Sequence, residues 1–169
     1  MKRYITSIAA MLAAVICLAQ NSKTIPVSIE ARVSAAAEFY SELYGAYYEL
    51  PRTGVLLQAG FGPVIIGAGY DTVFVRDAGN EGAVNFRIGF RYKAGTHFSG
   101  DVYVSAEKTV KSDYPMPTMA GIGTSLSVKL AGPLHLFTDI RYHHHLFSSG
   151  YERYRTRAGV IAIGLNFKF

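Results

Sequence analysis

Hydrophobic and polar residues alternate with a period of two along most of the chain after Ser28. The clearest example runs from Val84 to Tyr92, where every second residue is Val, Phe, Ile or Tyr and the residues between them are Asn, Arg or Gly. Successive side chains of a β-strand point to opposite faces of its sheet. The pattern therefore predicts strands that have one apolar face and one polar or small face.

Eight segments show this alternation, and together they predict an all-β protein. The segments are residues 28–39, 54–61, 64–75, 84–92, 99–107, 120–130, 134–142 and 160–169. Short turns at residues 62–63, 93–96 and 131–133 alternate with longer connections at residues 41–53, 76–83, 111–118 and 144–156. An even number of strands joined in this order is typical of an eight-stranded antiparallel up-and-down transmembrane β-barrel.

The polar faces of these strands carry charges of both signs among Gly, Ala and Ser residues. The interior of a barrel of about eight strands is only wide enough for side chains to fill it. Buried charges are tolerated when they are paired, so we expect salt bridges to plug the lumen. The predicted lumen charge network consists of Glu30, Arg32, Glu38, Arg87, Arg91, Asp101, Glu107, Lys129, Asp139 and Arg141, and Lys168 shares the same face.

The start of the chain has the pattern of a secretory signal peptide. A short basic stretch precedes an apolar run over residues 5–18, and residues 17–19 (Cys-Leu-Ala) offer a small-x-small cleavage site. A lipoprotein signal would place a small residue before Cys17, where this chain has Ile16. We therefore predict a cleaved signal peptide at residues 1–19 and a single β-barrel domain at residues 20–169.

Composition agrees with this class and disfavours others. The 17 glycines, 12 tyrosines and 10 phenylalanines among 169 residues suit strands, turns and aromatic girdles. The formal net charge of +5 is too small, and the basic residues are too dispersed, to indicate nucleic-acid binding. The glycine pairs near residues 60–69 lie in strands with no helix after them, so they do not indicate a nucleotide site, and we expect no cofactor.

The final strand places Ile161, Ile163, Leu165, Phe167 and Phe169 on one apolar face. Together with the exported start and the eight alternating segments, this aromatic ending resembles the small outer-membrane barrels of the OmpA/OmpX type. The resemblance implies a monomer in the outer membrane of a Gram-negative cell, surrounded by outer-membrane lipid and lipopolysaccharide. It also implies that the insertion machinery recognises the terminal Phe as an assembly signal and that the outer loops carry any specific binding.

Two alternative functions remain open. His97 and Ser99 resemble the His-x-Ser motif of outer-membrane lipid A deacylases, in which a histidine activates a hydroxyl. Their place after a predicted short turn, and their inward direction, disfavour this enzyme. The second alternative is a narrow channel, which a plugged lumen disfavours. We therefore predict a non-enzymatic barrel with a structural or surface-binding role and no catalytic residues.

Two polar clusters lie near the predicted fourth outer loop. Residues 143–145 are consecutive histidines, but only the first and third share a strand face, and no carboxylate or cysteine cluster beside them completes a site. We predict no metal site there. Arg153, Arg155 and Arg157 lie in an aromatic, basic stretch, and arginine suits phosphate geometry. The stretch therefore predicts a possible contact with lipopolysaccharide.

Overall fold

The computed structural model describes residues 26–41, 47–75, 79–111, 118–145 and 157–169, which form eight antiparallel β-strands. Each strand pairs with its neighbours in sequence, and the last pairs with the first, so the sheet closes into a barrel. This architecture confirms the predicted fold class and strand count. The described residues contain no helix long and apolar enough to cross a membrane. The strands are β1 (Val27–Ser41), β2 (Tyr47–Phe61), β3 (Val64–Val75), β4 (Gly79–Ala94), β5 (Phe98–Lys111), β6 (Thr118–Ala131), β7 (Leu134–His145) and β8 (Arg157–Lys168).

Several strands extend beyond the segments that predicted them. β2 begins at Tyr47, which pairs with Ser41 of β1, so the predicted long connection at residues 41–53 is wrong. β4 likewise begins at Gly79, within the predicted connection at residues 76–83. The hydrogen bonds of a ladder join backbone groups and require no apolar side chains. Pairing therefore continues toward the loops after the apolar alternation has stopped.

Three short turns join β2 to β3, β4 to β5 and β6 to β7, as predicted. In each turn a glycine adopts a positive φ, which is 59° at Gly62, 79° at Gly95 and 51° at Gly132. This left-handed conformation is accessible to glycine at little cost and is strained for most other residues. We call the end of the barrel that holds these turns and Phe169 the turn end, and the opposite end the loop end.

The barrel reverses the burial pattern of a water-soluble protein. Its outer face carries large apolar side chains such as Phe90, which is 66% exposed, and Ile122, which is 64% exposed. Its inner face buries charged side chains such as Glu30 and Arg32. Water-soluble proteins bury large apolar side chains and expose charged ones. A continuous apolar outer face suits contact with lipid.

Glycines on the inner face allow the lumen to be narrow. A Cβ at Gly164 would lie 2.0 Å from the backbone oxygen of Val33 and 2.8 Å from the Cα of Ser34. A Cβ at Gly123 would lie 2.5 Å from the Oη of Tyr103. Both distances are shorter than van der Waals contact, so neighbouring groups occupy the space that a larger side chain would need. The inward-facing charged side chains therefore lie in a tightly packed interior.

Candidate functional site: a charged lumen

Arg52 of β2 is the centre of a cluster of charges in the half of the lumen nearer the loop end. It is 2% exposed. Its Nη1 donates to Oε2 of Glu38 at 2.8 Å, and its Nη2 donates to Oδ2 of Asp71 at 2.5 Å. Nη2 also donates to a carboxylate oxygen of Glu107. One guanidinium thus bonds to three buried carboxylates from three other strands, and charge-assisted bonds of this kind are the stronger ones.

Asp139 of β7 connects the remaining charges in this half. Its carboxylate accepts a hydrogen bond from Tyr103 Oη at 2.7 Å, and it lies 3.1 Å from Nε of Arg141 and 3.3 Å from Nη1 of Arg87. The Arg87 guanidinium also lies 4.8 Å from the centroid of the Tyr103 ring, which is cation–π geometry. Nη1 of Arg141 is 3.7 Å from Oδ2 of Asp71 and so links this group to Arg52. We define the loop-half cluster as Glu38, Arg52, Asp71, Arg87, Glu107, Asp139 and Arg141.

A second cluster fills the half of the lumen nearer the turn end. Nη2 of Arg32 lies 2.5 Å from Oδ2 of Asp101 and 3.1 Å from Oε2 of Glu30. Arg91 contacts the other oxygens of the same two carboxylates, at 2.5 Å from Glu30 and 3.0 Å from Asp101. Nζ of Lys168 is 3.6 Å from Oε1 of Glu30. We define the turn-half cluster as Glu30, Arg32, Arg91, Asp101 and Lys168.

The two clusters together contain six acidic and six basic side chains, so their formal charges cancel. Removing one partner of such a buried pair leaves an uncompensated charge, whereas a balanced, bonded set is tolerated. The Arg32 side chain lies between the clusters, beside a cavity of about 30 Å³ that is also lined by Arg87, Tyr103 and Asp139. A cavity of this size has room for a water molecule.

The structure places nine of the ten predicted network residues in ion pairs. These nine are Glu30, Arg32, Glu38, Arg87, Arg91, Asp101, Glu107, Asp139 and Arg141. The tenth, Lys129, lies on the lumen-facing side of β6 but is exposed at the turn end. Since the barrel opens to water there, its ammonium needs no carboxylate partner. Lys129 is therefore outside the network of ion pairs that the described residues form.

Two central members of the network were missed by the sequence prediction. Arg52 fell in the predicted connection at residues 41–53, although it lies two positions before Gly54 on the same strand face. Asp71 lies on the polar face of its predicted segment but is absent from the predicted lumen charge network. Thr53 faces outward like Val55. If the alternation of β2 is continued back from Thr53, Arg52 falls on the lumen-facing side.

Ser105, His143 and Glu107 have the composition of a hydrolase triad. Ser105 Oγ is 2.9 Å from Nε2 of His143, and Nδ1 of His143 is 4.0 Å from Oε2 of Glu107. A working triad needs an orienting acid and a nucleophile that a substrate can reach. Here Glu107 is bonded to Arg52, and His143 is 1% exposed inside the lumen. These three residues therefore belong to the packed polar interior and do not form a site that an acyl substrate in the surrounding lipid could reach.

His97 and Ser99, the predicted deacylase-like pair, make separate contacts. His97 is exposed in the β4–β5 turn, with Nδ1 2.8 Å from Oγ1 of Thr96. Ser99 accepts a hydrogen bond from Nζ of Lys168 at 2.8 Å. A histidine that activates a serine must lie within hydrogen-bond reach of its hydroxyl. The contacts of these two residues give no support to that role.

Some of the remaining predicted residues are described by the structure and others are not. His143 points into the lumen and His144 is exposed, while nothing is described for the side chain of the third histidine. Among the described residues, no group of three or more His, Cys, Asp or Glu is arranged to hold a metal ion. Arg153 and Arg155 lie outside the described residues, as does the side chain of Arg157. The predicted signal peptide, residues 1–19, also lies outside them.

Comparison with known proteins identifies the fold. No protein-family model matches the chain. No curated protein matches its sequence. Solved structures with a similar fold include Neisserial surface protein A, with a TM-score of 0.58, 10% identity and coverage of 85% of this chain and 97% of that one. The N-terminal β-barrel domain of Pseudomonas aeruginosa OprF has a TM-score of 0.56 and 14% identity, and the match covers 84% of this chain and 97% of that one. A third structure is Ail, the attachment invasion locus protein of Yersinia pestis, in complex with the heparin analogue sucrose octasulfate. It has a TM-score of 0.54 and 11% identity, and the match covers 85% of this chain and 97% of that one. The chain therefore has the fold of the small eight-stranded outer-membrane barrels.

Proposed function

We propose that this protein is an integral barrel of a Gram-negative outer membrane, that its lumen is closed, and that it serves a structural or surface-binding role without catalysing a reaction. The signal peptide at residues 1–19 would direct export and then be cleaved. One observation carries the proposal, namely that a balanced set of six acids and six bases fills a closed barrel whose outer face is apolar. A barrel of this kind is suited to lipid outside and offers no path for solutes inside.

A narrow channel is the alternative that shares this fold, and conductance separates the two. We expect no steady single-channel steps when the folded protein is inserted into a planar lipid bilayer, because ion pairs occupy both halves of the lumen. Insertion is checked on the same preparation by gel migration, since a folded barrel that resists cold detergent migrates differently before and after boiling. Reproducible conductance steps from inserted protein would overturn the closed-lumen proposal.

The C-terminal residue is proposed as the assembly signal. Phe169 is 75% exposed at the turn end, and its backbone N donates to the oxygen of Ile29 at 2.8 Å. The aromatic side chain therefore lies next to the seam where β8 meets β1, which is the last pairing needed to close the barrel. This location supports recognition of Phe169 by the insertion machinery before closure.

The proposed surface partner is lipopolysaccharide. Arg153 and Arg155 lie in the sequence between β7 and β8, and Arg157 is the first residue of β8, which begins at the loop end. Guanidinium groups bind phosphate oxygens through paired hydrogen bonds. Ail, which has the same fold, has been solved with the polysulfated ligand sucrose octasulfate. That complex supports anion recognition by a barrel of this kind, although the identity between the two chains is only 11%.

Replacing Arg153, Arg155 and Arg157 together with Ala should weaken binding to purified lipopolysaccharide. We expect a loss of about 0.6–3 kcal/mol, because each of the three exposed ion pairs contributes about 0.2–1 kcal/mol. Calorimetric titration of the detergent-folded barrel measures the change. The matched control is the variant His97→Ala, which changes an exposed side chain of the β4–β5 turn at the opposite end of the barrel and should leave the affinity unchanged. Equal affinity of the arginine variant and the unaltered protein would rule out this contact.

A further inference from the structure

The turn end of the lumen carries more positive charge than its carboxylates can neutralise. Lys93, Lys129 and Lys168 all occupy lumen-facing positions there. Beneath them, Glu30 and Asp101 are already paired with two arginines of the turn-half cluster. Among the described residues of this end, the only other acidic group is the terminal carboxylate. Five basic groups of this end therefore face three carboxylates, so the turn end carries an excess of two positive charges, although Nζ of Lys168 lies 3.6 Å from Oε1 of Glu30.

Hydroxyl groups lie beside these lysines. The strand register pairs Lys93 with Ser99, and Ser99 with Ser127, so these three positions lie on neighbouring strands at one level of the mouth. Nζ of Lys168 extends from β8 across the mouth to β5, where it donates to Ser99 Oγ at 2.8 Å. The register also pairs Lys129 with His135. We call Lys93, Ser99, Ser127, Lys129, His135 and Lys168 the turn-end vestibule.

One hydroxyl of the vestibule is buried and lacks a bond within the described part of the chain. Ser127 is 2% exposed, and its Oγ has no hydrogen-bond partner among the described residues. Nδ1 of His135 also has no hydrogen-bond partner among the described residues. A buried polar atom without a partner costs free energy, so such atoms are normally bonded. Both residues lie on the lumen-facing sides of their strands, next to the lysines of the mouth.

We propose that the turn-end vestibule binds an oxyanion of the phosphate class. Lysine ammonium groups bind phosphate as point charges, and serine hydroxyls donate hydrogen bonds to its oxygens. Lys168 and Ser99 hold a preformed ammonium–hydroxyl pair, and on the neighbouring strand Ser127 has a buried hydroxyl that no described residue bonds. Lys93 and Lys129 flank the entrance. The oxyanion is either free phosphate or the headgroup of a membrane lipid, since both present the same oxygens. The site is independent of the loops in the proposed function.

The test uses the barrel in nanodiscs of phosphatidylcholine, which carries no net charge, and follows its backbone amides by nuclear magnetic resonance. Inorganic phosphate, added at constant ionic strength against chloride, should shift the amide signals of Ser99, Ser127 and Lys129 in a saturable way. The variant Lys93→Ala with Lys129→Ala should weaken this binding severalfold. The control Lys111→Ala, an exposed lysine at the loop end of β5, should bind phosphate as the unaltered protein does.

The lipid composition of the nanodisc distinguishes the two sources of the oxyanion. If phosphatidylglycerol alone reproduces the shifts and then weakens the response to added phosphate, the ligand is a lipid headgroup. If phosphatidylglycerol changes nothing, the ligand is a free oxyanion. Either result supports the site. Shifts that do not saturate, or that chloride produces equally, would overturn the proposal on the unaltered protein, whatever the stability of the variants.

Discussion

Replacing Val104 with Arg should lower the free energy of unfolding in a lipid bilayer by about 2–4 kcal/mol, whereas Val110→Arg should cost about 0–1 kcal/mol. Both residues lie on the outer face of β5 and are similarly exposed, at 54% and 59%. Val104 is at the middle of the strand, and Val110 is one residue from its loop end. The two variants therefore differ mainly in the depth at which they place a charge.

The depth dependence follows from solvation. A guanidinium at the bilayer midplane is separated from water by hydrocarbon on both sides, while one near the end of the strand reaches the headgroups. Denaturant-induced unfolding of the barrel in phosphatidylcholine bilayers measures both costs. If both variants lost the same small amount of unfolding free energy, the outer face would be in contact with water. That result would contradict the membrane location that the apolar outer face supports.

The direction of each side chain could be predicted from the sequence because one physical rule fixes it. Val104 faces outward and Ser105 inward, since neighbouring residues of a strand point to opposite faces. Once the apolar set was placed outside, every polar position in the same strand was assigned to the lumen. The same rule assigns Glu30 and Asp139 to the lumen, and the structure buries both side chains, which lie on strands far apart in sequence.

The ends of the strands and the pairs across the lumen could not be predicted in this way. Tyr47 begins β2 because its backbone pairs with Ser41, and no side-chain pattern signals that pairing. Partners inside the barrel depend on how far each strand is shifted along its neighbour and on side-chain length. Lys168 reaches Ser99 on the far side of the mouth, and Arg32 reaches Asp101 four strands away along the chain. The alternation of apolar and polar residues specifies neither the shift between strands nor the partner that a long side chain reaches.

Arg52→Met should be the most damaging substitution in the lumen, with an expected loss of about 3–5 kcal/mol in the free energy of unfolding. Met has a similar length and fills most of the same space, so the change mainly removes charge. Glu38, Asp71 and Glu107 would each lose the guanidinium of Arg52, while Asp71 keeps Arg141 at 3.7 Å. Unfolding in phosphatidylcholine bilayers, together with the fraction of protein that resists cold detergent on a gel, measures the effect.

A control variant separates the loss of the Arg52 ion pairs from the general effect of removing a basic residue on stability. Lys129→Met removes an exposed lysine from the same lumen-facing surface and should change stability by no more than about 0.5 kcal/mol, as surface substitutions usually do. Adding Glu107→Gln to Arg52→Met removes one of the uncompensated charges, so the double variant should be more stable than the single one. A non-additive gain of this kind is the signature of residues that share one network. If Arg52→Met were as stable as the unaltered protein, Arg52 would not be the group that holds these three carboxylates in the lumen.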